Sequence, residues 1–123
     1  KQFMLSDGTI IALSTPQGSG AIGIIRLSGP EAFEKTTLFF KPKGQKTWTK
    51  IQPNQTLFGS FVKDSVLIDE VLVTAFKGPR SYTGEDVIEL SCHGSPFILQ
   101  QVISCFLDEG IKPAKPGEFT LRA

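Results

Sequence analysis

The sequence predicts an α+β domain with a mixed or antiparallel sheet and two main helices. Apolar residues make up 40% of the sequence, which is enough for one hydrophobic core. A chain of 123 residues is too short for two domains. Runs with strand character interleave with runs of helical periodicity. Two of the strand-like runs, residues 56–62 and 66–76, flank Lys63-Asp64-Ser65, and this arrangement is typical of an antiparallel hairpin.

The first third of the chain predicts two strands and a helix. Residues 9–14 form a short apolar run, and residues 22–27 are rich in isoleucine, so each predicts a strand. Turn-forming residues at 15–20 separate them. Ser28-Gly29-Pro30-Glu31 is typical of a helix start, with a proline early and an acid in the first turn, and we expect this helix to end near Phe40.

The remainder predicts two loops, two further strands and the longer helix. Residues 41–55 lack apolar periodicity and residues 78–84 are rich in turn formers, so both are expected to be loops, with a strand at 87–91 after the second. Residues 96–109 carry a wide apolar face at helical spacing, between Ser95 as N-cap and Gly110 as stop. Residues 111–114 are expected to form a short strand.

Charge and composition exclude several classes of protein. There are 13 basic and 12 acidic residues, and the longest uninterrupted apolar run, Ile10–Leu13, is far shorter than the roughly 20 residues that span a bilayer. The two cysteines, Cys92 and Cys105, are too few for a disulfide framework. We therefore expect a soluble, cytoplasmic protein without a membrane partner.

The chain contains partial matches to two nucleotide-binding patterns, and neither match is complete. Gly18-x-Gly20-x-x-Gly23 matches the dinucleotide fingerprint, but Gly23 lies in a predicted strand, whereas the fingerprint requires a helix there. A P-loop fails because Ile24 and Ile25 stand where Lys and Ser or Thr are needed. His93 is the single histidine, which excludes a histidine-based metal cluster. We expect no catalytic and no metal-binding residue in this chain.

Glu89 is the strongest candidate from the residues alone. It falls between Ile88 and Leu90 in a predicted strand, and a carboxylate buried there would need hydrogen-bond donors or a cation such as Arg26 nearby. The alternative is a glutamate on the solvated face of an edge strand, and the sequence leaves both open.

Four ordered motifs carry a family resemblance. The first runs from Asp7-Gly-Thr-Ile-Ile-Ala to Gly29; the others are Ser81-Tyr-Thr-Gly-Glu-Asp-Val-Ile-Glu89, His93-Gly94 and Pro116-Gly-Glu-Phe-Thr-Leu-Arg-Ala123. Together they resemble the N-terminal domain of the tRNA-modification GTPase MnmE family, also called TrmE. The family pattern usually has Pro, Gly and Gly where this chain has Gln17, Ala21 and Ser95.

The resemblance implies a specific role for residues 1–123. In the family this domain resembles the folate-binding domain of the aminomethyltransferase, binds a tetrahydrofolate derivative (5-formyl or 5,10-methylene) and forms a homodimer. Arg26 and Glu89 match family folate contacts, and Tyr82, His93 and Gly94 are weaker candidates.

The resemblance also places this domain in a larger protein. The family's helical and GTPase domains, which use GTP, K⁺ and Mg²⁺, would lie outside these residues. The full protein works with the flavoprotein MnmG on the wobble uridine of certain tRNAs.

Two alternatives remain open. The domain could be a purely structural dimerisation module without a ligand, an alternative that the departures at Gln17, Ala21 and Ser95 keep open. The third interpretation is an RNA-contact module that uses Trp48 and the basic stretch at residues 41–50.

Overall fold

The computed structural model describes residues 8–14, 22–44, 54–93 and 95–123. They form one seven-stranded sheet in the order β3-β4-β5-β6-β2-β1-β7. All neighbouring strands are antiparallel except β1 and β7, which are parallel. The predicted α+β class with a mixed sheet is confirmed, whereas the likeness to the aminomethyltransferase domain stays a prediction. The strands are β1 (Ile10–Leu13), β2 (Ile22–Ser28), β3 (Phe40–Pro42), β4 (Thr56–Lys63), β5 (Val66–Phe76), β6 (Val87–His93) and β7 (Lys112–Pro113).

Three helices accompany the sheet: α1 (Ala32–Thr37), α2 (Pro96–Asp108) and α3 (Glu118–Arg122). Helices α1 and α2 contribute to the buried core that lies against the sheet. The rings of Phe39, Phe61 and Phe106 meet there at centroid distances of 5.3 to 5.7 Å. No helix among the described ranges is long and apolar enough to cross a membrane.

The predicted hairpin is confirmed as β4 and β5. Asp64 and Ser65 connect the strands and have positive φ angles of 51° and 67°. Positive φ at both central residues is the geometry of a type I′ turn, whose twist matches that of the paired strands. The pairing between Phe61 and Val62 shifts register, which marks a bulge in β4.

Two expected boundaries were wrong: the end of α1, and the start of the loop expected at residues 41–55, whose first two residues lie in β3. Helix α1 ends at Thr37 and not near Phe40, because Phe40 pairs with Phe61 in the sheet and is buried there. The five residues of α3, which the sequence left unassigned, form a helix too short to be stable alone, so tertiary contacts must hold it. The strand containing Glu89 also extends two residues beyond its predicted end, to His93.

The second face of the sheet carries neither α1 nor α2 and is partly apolar. Along β5 the residues alternate, so that Val71, Val73 and Ala75 are buried in the core while Leu72 is exposed on the other face. Leu72 pairs with Phe58 of β4 and with Ser91 of β6, and Ser91 pairs with Ile24 of β2. These residues form a continuous row across four strands, which we call the open face.

Candidate functional site

Arg26 and Glu89 are direct cross-strand partners. They lie opposite each other in β2 and β6, and Arg26 Nε donates a hydrogen bond of 2.6 Å to Glu89 Oε2. Their side chains are 32% and 26% exposed, so the pair is half-buried. Arg26 Nη1 also donates to Ser14 Oγ at 3.2 Å, beside the end of β1. The expectation that a cation such as Arg26 lies near Glu89 is confirmed.

A pocket of about 350 Å³ opens beside Arg26. Its other walls are the end of β1 (residues 12–14) and the segment from residue 114 to residue 120, which leads into α3. Glu89 is not among the residues that line this pocket; it lies directly beside the lining residue Arg26, to which it is hydrogen-bonded. We call this cavity the Arg26 pocket.

Tyr82 lies at the edge of the Arg26 pocket. Its ring is more than half exposed, and its hydroxyl shares a 3.1 Å hydrogen bond with Thr120 Oγ1. Thr120 is itself one of the residues that line the pocket. The loop that carries Tyr82 is therefore attached to the wall that α3 provides.

The structure separates His93 from this pocket. His93 is the last residue of β6, four residues and therefore about 13 Å along the strand from Glu89. Asp69, which is buried, accepts the His93 backbone N–H at 2.9 Å and lies 2.5 Å from His93 Nδ1. The ring lines a second, mostly apolar cavity of about 190 Å³ on the open face, which we call the His93 cavity. Gly94 lies outside the described residues.

A third charged cluster includes Glu118, which is one of the residues that line the Arg26 pocket. Arg122 donates to Glu85 Oε1 at 2.8 Å, to Glu118 Oε2 at 3.2 Å and to the Gly8 carbonyl at 3.0 Å. Burial alone would raise the pKa of Glu118, but hydrogen bonds from the Lys115 N–H and from Arg122 together lower that pKa below its ordinary value. Glu118 is therefore an ionised, hydrogen-bonded carboxylate at neutral pH.

Neither cysteine is arranged for chemistry. Cys92 and Cys105 are free and buried. Burial, with a smaller contribution from the nearby Asp69, raises the pKa of the Cys92 thiol to about 12, and burial also raises the pKa of Cys105. Both thiols are protonated at neutral pH and are poor nucleophiles. Within the described ranges, no group of three or more His, Cys, Asp or Glu side chains is placed to hold a metal ion.

Comparison with known proteins identifies the family. A family model described as "GTP-binding protein TrmE N-terminus" matches residues 9–123. The chain belongs to this family. The resemblance that the four motifs carry is thereby confirmed.

Curated relatives of this TrmE N-terminal domain are longer proteins named "tRNA modification GTPase MnmE". The protein from Christiangramia forsetii is 50% identical over 121 residues, which are 98% of this chain and 25% of that protein. The one from Cytophaga hutchinsonii is 50% identical over 116 residues, or 94% of this chain and 24% of the relative. The one from a Thermotoga species is 43% identical over 115 residues, which are 94% of this chain and 24% of that protein. The chain thus spans about a quarter of the length of these relatives.

Sequence reasoning missed the polar groups that tertiary structure brings together in this TrmE N-terminal domain. Glu118 and Arg122 have the i, i+4 spacing of a helical ion pair, which is a usable signal, but nothing local indicates that they meet Glu85. Asp69 shares the strand parity of Val71 and Val73, so alternation alone places it on the buried side. A carboxylate at such a position predicts nearby donors, as it did for Glu89.

Proposed function

We propose that this TrmE N-terminal domain binds a tetrahydrofolate derivative at the Arg26 pocket and joins two copies of the chain as a homodimer. The observation that carries the folate proposal is the cross-strand pair of Arg26 and Glu89 beside that pocket. The volume of about 350 Å³ falls within the range of roughly 300–1,000 Å³ that is usual for small-molecule sites.

The chemistry of the pair suits a reduced pterin. A pterin presents a ring N–H and an exocyclic NH₂ side by side, and a carboxylate accepts such donors through charge-assisted hydrogen bonds. Glu89 Oε2 already accepts from Arg26, and no described residue donates to its second oxygen. The pterin edge would therefore share this carboxylate with Arg26. The planar guanidinium of Arg26, which lines the pocket, would bond a carbonyl or carboxylate oxygen of the same ligand.

The larger protein is proposed from the relatives. They are named tRNA modification GTPases, and this chain covers only about a quarter of each. We place the chain in a protein that modifies the wobble uridine of certain tRNAs together with the flavoprotein MnmG. GTP hydrolysis with K⁺ and Mg²⁺ would belong to other domains of that protein, because the sequence of this chain has no P-loop.

Calorimetry with 5-formyltetrahydrofolate tests the folate proposal. Glu89→Gln replaces an acceptor by a donor that faces the pterin, so we expect affinity to fall roughly ten- to hundredfold. Glu70→Gln, an exposed carboxylate on β5, is the matched control and should bind as the original chain does. Because Glu89→Gln also disturbs Arg26, the variants Arg26→Met and Arg26→Met with Glu89→Gln complete a double-mutant cycle.

The outcomes separate the candidate functions. Unchanged affinity in a folded Glu89→Gln variant would contradict the pterin assignment. Absence of binding to the original chain, with a dimer intact, would favour the purely structural dimerisation module. Retention of tRNA on a filter by the isolated chain would favour the RNA-contact interpretation. Of its basic stretch, Lys41 lies in β3 and Lys43 directly follows that strand, whereas Trp48 lies outside the described residues.

The open face supports the proposal of self-association. Phe58 and Leu72 of this face are exposed, and so is Ile22, which lies two residues before Ile24 and therefore on the same side of β2. Apolar patches of this kind usually mark partner surfaces, and a symmetric pair is the commonest arrangement of identical chains. A second copy of this chain is the occupant we propose.

Sedimentation tests the dimer. Leu72→Glu should convert a dimer into a monomer at micromolar concentration, since a buried unpaired charge is costly. Val66→Glu is the matched control, because Val66 is also exposed on β5 but lies at the tip of the hairpin, away from the row. A monomer in the original chain, or equal effects of both variants, would contradict the proposal.

A further inference from the structure

One buried arginine connects three separate segments of the chain. The Arg122 side chain is 4% exposed, and its guanidinium bonds Glu85 in the loop before β6, Glu118 in α3 and the Gly8 carbonyl before β1. A planar guanidinium can hold several acceptors in fixed directions, which an ammonium group cannot do. This one side chain therefore links the three segments to one another.

Two of these segments continue into walls of the Arg26 pocket, and the third is hydrogen-bonded to one of those walls. Gly8 leads into β1, whose end forms one wall. The helix that carries Arg122 continues the segment 114–120, which forms a second wall. The loop that carries Glu85 also carries Tyr82, whose hydroxyl bonds Thr120 in that second wall. Arg122 and Tyr82 thus connect the second wall to its surroundings from two sides.

The carboxylates that hold Arg122 are themselves fixed. Glu85 Oε1 also accepts the Ser28 hydroxyl at 2.7 Å, and Ser28 lies two residues from Arg26 on β2. Glu118 Oε1 accepts the Lys115 backbone N–H at 2.9 Å, which closes the turn that begins α3. The cluster therefore extends from the strand of Arg26 to the start of the second wall.

We propose that Arg122 is a positioning residue for the Arg26 pocket: its guanidinium holds the segment 114–120 against β1 and against the loop of Tyr82, and so sets the rate at which a ligand leaves the pocket. The identity of that ligand rests on the proposed function. The restraint on the wall does not, and the two are tested separately.

Hydrogen exchange of the ligand-free chain tests the restraint. In Arg122→Met we expect the amides of Glu118 and Leu121, which bond Lys115 and Gly117 carbonyls, to exchange roughly ten- to hundredfold faster. The amides of the central strands should be unchanged. Lys35→Met is the matched control, because it removes a partly exposed ion pair that links α1 to Glu109, directly after α2, away from the Arg26 pocket.

A graded series shows whether the geometry of the arginine matters. Arg122→Lys keeps the charge but cannot bond three acceptors in a fork, so we expect intermediate exchange. Glu85→Gln keeps the pair within α3 and should loosen the wall less than Arg122→Met. If Arg122→Met does not fold, these two variants carry the test. If the exchange of the Glu118 and Leu121 amides is not accelerated, or is accelerated no more than that of the central strands, Arg122 does not restrain the wall.

Stopped-flow dissociation of 5-formyltetrahydrofolate tests the consequence for the ligand. We expect the dissociation rate constant to rise roughly tenfold or more in Arg122→Met, with little change in Lys35→Met. Faster exchange with an unchanged dissociation rate would overturn the control of ligand release while leaving the restraint standing. If the original chain binds no folate, the proposed function fails and the ligand part of this inference fails with it, whereas the exchange data still decide the restraint.

Discussion

Strand β6 contributes one residue to each of two pairs, Arg26 with Glu89 and Asp69 with His93. The two pairs differ in how evenly solvent exposure is divided between the partners. Arg26 and Glu89 are about equally half-buried, at 32% and 26%. In the other pair the Asp69 side chain is 5% exposed and the His93 ring is 69% exposed. The two carboxylates also differ in how many hydrogen bonds they accept from the rest of the chain.

Asp69 has its acceptors occupied by its own chain. It receives the backbone N–H groups of Glu70 and His93 in addition to the contact with the His93 ring. Glu89 receives one bond, from Arg26, and within the described ranges no donor reaches its second oxygen. A fully bonded buried carboxylate stabilises a fold, whereas a carboxylate with acceptor capacity beside a pocket can bind a ligand.

The largest expected effect is on stability at Asp69. Asp69→Ala leaves two backbone N–H groups without their acceptor, so we expect the free energy of unfolding to fall by about 3 kcal/mol. Urea denaturation measures this change, with Glu70→Gln as a control that should stay within about 0.5 kcal/mol. A loss of stability as small as that of the control would show that the hydrogen bonds of Asp69 do not stabilise the fold.

The second effect concerns Glu118, the most buried of the paired carboxylates. Glu118→Gln should lower the free energy of unfolding by about 2 kcal/mol at neutral pH, because it removes the negative charge that strengthens the bonds from the Arg122 guanidinium and the Lys115 backbone N–H. The folded state lowers the pKa of Glu118, so this contribution is present above the unfolded pKa and is lost as pH falls through the folded pKa. The stability difference between the two proteins should therefore shrink on acidification, and a constant difference would contradict this account.

A smaller effect is expected when the half-buried pair is broken. Arg26→Met should lower the free energy of unfolding by about 1 kcal/mol or less, because partly exposed ion pairs contribute little. Urea denaturation of Arg26→Met and Asp69→Ala under the same conditions compares the two losses of unfolding free energy directly. A loss at Arg26 as large as that at Asp69 would assign both pairs a structural role.

The smallest effect is expected at His93. Because the ring lines the His93 cavity and not the Arg26 pocket, His93→Ala should leave the affinity for 5-formyltetrahydrofolate within about twofold. Calorimetry measures this affinity, with Glu89→Gln titrated under the same conditions for comparison. A tenfold loss in the folded His93→Ala variant would mean that the two ends of β6 act as one site.

The sequence predicted what depends on local periodicity. Alternation identified the hairpin of β4 and β5, and a carboxylate inside a strand predicted a cation near Glu89. The separation of His93 from Glu89 was not predicted, because it depends on the strand continuing to His93 and not turning earlier.

Long-range contacts set the other limit of sequence reasoning. The cluster of Arg122, Glu85 and Glu118 joins residues far apart in the chain, and Phe40 left the predicted helix because pairing with Phe61 buries it in the sheet. Neither result can be obtained from spacing alone.

The location of bound folate tests the central claim most directly. Backbone amide chemical shifts of the chain, titrated with 5-formyltetrahydrofolate, report which surface the ligand contacts. We expect the shifts to concentrate at residues 12–14, Arg26, Glu89 and 114–120, which form and support the Arg26 pocket. Shifts concentrated at residues 70–72 and 91–93, around the His93 cavity, would contradict it.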